Sequence, residues 1–134
     1  MSLQEDPHGP RSYGRMHLVL SHVAAASFVL MVLGRNDIIP DEFALIGITF
    51  GILAIIVMFA TRNSDEWIAS LWSAGANAGF IAAMAWLLFL PFAEGFYDGL
   101  VGNERGQDLP SDFASFVSLG AFLVAFNLKR IRGY

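Results

Sequence analysis

His17, His22, Ser70, Ser73 and Asn77 are the side chains whose types and spacing can do chemistry inside otherwise apolar stretches of this sequence. An imidazole is a ready haem or chlorophyll ligand. Five residues of helix separate two side chains by ~140°, so His17 and His22 cannot both reach one metal from a single helix. The chain's third histidine, His8, lies in a polar tail. Haem or pigment ligation by His22 or His17 is therefore expected only with a second ligand from a neighbouring subunit. The plainer expectation places His17 at the cytoplasmic interface and has His22 hydrogen-bonded to an adjacent helix.

Asn77 sits in "SAGANAG", an amide among small residues in the middle of an apolar stretch. An amide in hydrocarbon needs a partner, and an interhelical hydrogen bond of this kind contributes roughly 1 kcal/mol. At ~100° per residue, Ser70, Ser73 and Asn77 share one helix face, and Gly75 and Gly79 point nearly the opposite way. The polar face is expected either to pack internally or to line a pocket or subunit interface.

Other chemistries find little support. No Asp, Glu, Lys or Arg falls deep within an apolar stretch, and an ion-coupled carrier normally keeps one there. Asp98, Glu104, Asp108 and Asp112 offer hard oxygens without EF-hand spacing, so they read as a solvated acidic face. There are no cysteines, which removes disulfides, thiolate metal sites and cysteine redox chemistry. No nucleophile elbow, phosphate loop or catalytic carboxylate pair is present, and an enzyme acting alone is not expected. The basic end "KRIRGY" suits anionic lipid headgroups, but its cations are too few to argue for nucleic acid. No cofactor or metal is predicted, and bound lipid is expected.

The elements that must position these groups follow from composition. Of 134 residues, 55% are hydrophobic and 15% charged, and the mean hydropathy is +0.54, far from the balance of soluble domains. Spanning ~30 Å of hydrocarbon takes ~20 mostly apolar residues, and the sequence supplies four such segments. The predicted fold is an all-α integral membrane protein, an antiparallel up-down bundle of four transmembrane helices at about 15–34, 42–61, 65–93 and 110–129. A mobile polar tail, 1–12, precedes this domain of 13–134, and an acidic outer loop occupies 94–109. Gly34 is placed as a C-terminal cap. Asn63 or Ser64 is placed as the N-cap of the third helix. The fourth span reaches full length by borrowing Leu109 to Asp112, with Pro110 in its first turn.

Six of the eight Lys and Arg fall on the side holding both termini and the middle turn. The positive-inside rule then makes both termini cytoplasmic, in a plasma or inner membrane. The short turn near "TRNS" makes helices two and three antiparallel neighbours. Gly47 and Gly51 in helix two match the depth of Gly79 and Gly75 in helix three, so the two GxxxG pairs are expected to meet glycine to glycine.

The leading expectation is an accessory or structural subunit of a larger membrane complex. Helix three would be its contact element, and its partners would be other membrane subunits or copies of itself. The alternatives are a homo-oligomeric channel or carrier for a small neutral solute, lined by Ser70, Ser73, Asn77 and His22, and a haem- or pigment-binding subunit using His22 or His17.

Overall fold

The computed structural model describes residues 11–102 and 110–133. All described elements are helical: α1 (Arg11–Arg35), α2 (Asp41–Ala60), α3 (Glu66–Met84), a π turn (Ala85–Phe89), α4 (Leu90–Val101) and α5 (Phe113–Arg132). Four helical stretches are long and apolar enough to cross a membrane, the third running unbroken from Glu66 to Val101. Most of the expected tail, residues 1–10, lies outside the described residues, and Arg11 and Ser12 belong to α1.

The apolar character of the chain is carried on its exterior. Phe80, Phe92 and Val124 are 64%, 74% and 66% exposed. In water such a surface is costly, whereas hydrocarbon covers it without penalty, as a membrane protein requires.

Packing sets the lateral order α2, α1, α5, α3: α1 lies along α2, α5 lies along α3, and α1 meets α5. Each pairing is antiparallel, as the residue partners show. Along α1 and α2, Gly34 faces Ala44, Gly47 faces Leu30, and Gly51 faces Ser27. Along α3 and α5, Gly75 lies against Phe122 and Gly79 against Ser118. Between α1 and α5, the Phe28 ring reaches Gly120.

The expected meeting of α2 and α3 through their glycines does not occur. Gly47 and Gly51 receive α1, and Gly75 and Gly79 receive α5. A shared depth fixes height along the bundle and leaves rotation about each axis open. Each glycine slot is filled by the helix whose side chain fits it, Ser27 for α2 and Phe122 for α3. The two helices touch near their connecting turn, where Trp72 meets the Phe59 ring edge-on at 5.7 Å and the Phe122 ring at 5.0 Å. Ala54, Met58, Leu71, Phe122, Leu123 and Phe126 are buried in one core cluster, weighted toward the end that carries the termini.

Helix ends also depart from expectation. Gly34 stays inside α1, where a side chain would collide with Ala44, and Asp37 takes the left-handed conformation at φ 56°. Ile38 N–H donates to Leu33 C=O and Asp37 N–H to Gly34 C=O, a Schellman closure with Asp37 in the place usually held by glycine. Asp65, not Asn63 or Ser64, caps α3 by accepting from Ile68 N–H at 2.7 Å. Residues 94–101, expected as loop, continue the third helix. That helix is about 54 Å long at 1.5 Å per residue, more than the ~30 Å that crossing a hydrocarbon core requires. Pro91 is tolerated because the backbone widens into a π turn just before it, where a regular turn would press the ring on the preceding carbonyl. Residues 103–109, the rest of the acidic loop, lie outside the described residues. Of the residues the fourth span was expected to borrow, Leu109 lies outside the described residues, and Pro110 to Asp112 are not helical. The span begins at Phe113 and gains its length through Lys129 to Arg132.

Candidate functional site

The α3 face built from Ser73 and Asn77 is the one that the helix packing leaves uncovered. α3 presents Ile68, Leu71, Gly75 and Gly79 to the bundle, all buried. Gly79 brings α5 close enough for the Ser118 hydroxyl to donate to the Gly79 carbonyl at 2.9 Å. With that side committed, Ser73 and Asn77 project from the opposite side and are exposed. Neither makes a hydrogen bond to any described residue. Ser70, half-buried on the same face, accepts at its carbonyl from the Lys129 ammonium at 3.3 Å. The polar face is therefore not internal glue. Among the predicted interface residues, Gly47, Gly51, Gly75 and Gly79 are used within the chain, and Ser73 and Asn77 are turned out of it.

Of the two histidines it is His17, not His22, that bonds a neighbouring helix. His17 is 1% exposed. Its Nε2 lies 3.3 Å from the Met58 carbonyl and 3.3 Å from the Thr61 hydroxyl. The Thr61 hydroxyl spends its proton on the Val57 carbonyl at 2.7 Å, so the imidazole is the donor to both oxygens. The need for that donor is local. Thr61 N–H bonds to Val57 C=O and Arg62 N–H to Phe59 C=O, so the helix ladder passes over Met58 C=O. His17 completes the C-terminus of α2. His22 is exposed on the opposite side of α1, again in mid-helix, and has no hydrogen bond to a described residue.

Two further clusters tie the bundle together. At the end bearing the termini, the Arg130 guanidinium donates to Ser21 Oγ at 2.9 Å, and Ser21, fully buried, donates to Leu18 C=O. At the other end Arg35 pairs with Asp112 across 77 positions of sequence. Its guanidinium lies 4.2 Å from the centre of the Phe113 ring and 5.1 Å from that of Phe116. The Arg35 hydrogen bond, with its charge, holds the Asp112 carboxyl below its ordinary range. Trp86 closes this cluster by donating to Pro110 C=O at 3.1 Å.

Between the α1/α2 and α3/α5 pairs are two adjoining apolar recesses of about 260 and 420 Å³, which share Ile55 and Leu119. Among the described residues no group of three His, Cys, Asp or Glu is placed to hold a metal ion. The polar inner stripe of α1, His17, Ser21 and Ser27, was missed as a set in the sequence. Its three- to four-residue spacing through Ala24 was the available signal. Arg130 gave none, because its position in the sequence looks like a membrane-flanking cation. No family model, no curated protein and no solved structure matches this chain.

Proposed function

We propose that this chain is an accessory or structural subunit of a larger assembly in the bilayer, with the outward face of α3 as a principal contact. The observation that carries this reading is Asn77. It is an amide near the middle of an apolar helix, turned away from its own bundle and without a partner among the described residues. Lipid tails cannot satisfy it, and leaving a buried amide unpaired in an apolar medium costs several kcal/mol. A polypeptide lying against this face satisfies it. His22, exposed in mid-helix on α1, marks a second face with the same requirement. The distribution of Lys and Arg supports a plasma or inner membrane location with both termini in the cytoplasm.

The test is the composition of the tagged protein after gentle extraction from its own membranes, for the natural chain and for Asn77→Leu. Other polypeptides in fixed ratio are the expected result for the natural chain, in an assembly that becomes smaller in the variant. A particle holding only this chain would remove the accessory role and favour the channel or carrier.

A further inference from the structure

The outward face of α3 has a chemistry that narrows what can lie on it. α3 stands at the end of the lateral order, with α5 along one side and α2 touching it only near the turn. Ser73 and Asn77, four residues apart, form a short polar line on the side opposite Gly75 and Gly79. Towards the terminal end of the helix the neighbouring residues are small, Ala69 and Ser70. Farther along they are Phe80 and Ile81, 64% and 66% exposed.

We infer that the occupant of this face is a second copy of the chain, related by a twofold axis along the membrane normal, with Asn77 of each copy hydrogen-bonded to Asn77 of the other. The inference rests on the proposed role as an assembly subunit and names the first partner in it. Three observations lead to it. A carboxamide carries donor and acceptor together, so two identical amides facing across a twofold axis satisfy each other. All copies insert the same way up, so the axis brings Asn77 and Ser73 to their own equivalents at equal depth. Ser73 and Ser70 lack the bulk to hold the backbones apart, and close approach is the main source of helix association in lipid. The face of α1 around His22 is a poorer candidate: Val19 and Val29 flank it, 61% and 53% exposed, and α1 lies between α2 and α5.

The absence of cysteine from the chain permits a direct experiment. Ser73→Cys keeps the amide and places a thiol beside the axis, whereas Val124→Cys lies on a different helix, α5, and is 66% exposed in the natural chain. Mild oxidation in native membranes is expected to give a disulfide homodimer from Ser73→Cys and little from Val124→Cys. Adding Asn77→Leu to Ser73→Cys should weaken association by roughly fivefold to tenfold, and Asn77→Gln should preserve it. Because Asn77 is exposed and makes no hydrogen bond to a described residue, helical content should be unchanged in every variant. A Ser73→Cys adduct with a different polypeptide would overturn the twofold pairing and keep the subunit role. No adduct at all would leave this face against lipid and overturn both.

Discussion

Gly75→Ala is the sharpest test of how α3 and α5 meet. A Cβ at this position would lie 2.8 Å from both Cδ2 and Cε2 of Phe122, and 3.1 Å from the Phe122 carbonyl oxygen. Carbon atoms prefer ~3.5–4.0 Å, so the ring must retreat by roughly 0.7 Å or the helices must part. Phe122 has little room to retreat. It is 8% exposed, Trp72 stands edge-on to it at 5.0 Å, and Phe126 stacks on it at 6.0 Å. Overpacking of this kind costs about 1–3 kcal/mol. The substitution also gains up to ~1 kcal/mol of helix propensity, and a control must remove that contribution. Gly95→Ala does so, because nothing lies within 4 Å of its added Cβ. Unfolding by sodium dodecyl sulfate in mixed micelles, followed by circular dichroism, should place Gly75→Ala below Gly95→Ala by about 1–3 kcal/mol. Equal stabilities within ~0.5 kcal/mol would refute the close α3–α5 contact.

Other consequences follow from the same contacts. His17→Phe keeps a ring in place but leaves the Met58 carbonyl without its donor, and should lower stability by about 1–3 kcal/mol in the same titration. Asp65→Ala removes the α3 cap and should cost about 0.5–2 kcal/mol, whereas Asn63→Ala, without a cap to lose, should be near neutral. The carboxyl of Asp112 is held below its ordinary range by Arg35. Its contribution is therefore fully present above the usual Asp pKa of ~3.9 and is lost as pH falls through the lowered value. Stability measured against pH should show the natural chain losing its advantage over Arg35→Gln on that descent. An advantage that persisted in acid would show that the cation–ring contacts, not the ion pair, join α1 to α5.

The four spans were legible because a continuous apolar run of helical length has few other uses, and the exposed apolar exterior agrees with that reading. Rotation about each axis was harder to read. The glycines of α2 and α3 were correctly seen as places of close approach and were assigned to the wrong neighbours, because sequence spacing gives depth and not the facing partner. The same ambiguity reversed His17 and His22: both lie on α1, and only the position of α2 decides which one is enclosed. Asn77 and Ser73 were legible as a polar face opposite the glycines. Their outward direction became visible once α5 had taken the glycine side. The extension of the third helix to Val101 was hidden by the acids and glycines from Glu94 onward, which read as an exposed loop.

The most direct test of the outward α3 face is the local environment of residue 73 in the membrane. A nitroxide attached at Ser73→Cys, with Asn77 intact, reports oxygen access, and Val124→Cys on α5 supplies a position 66% exposed in the natural chain. Residue 73 should be shielded from oxygen while residue 124 is open to it. Equal access at both sites would mean that lipid, not protein, covers Ser73 and Asn77, and would contradict an assembly built on that face.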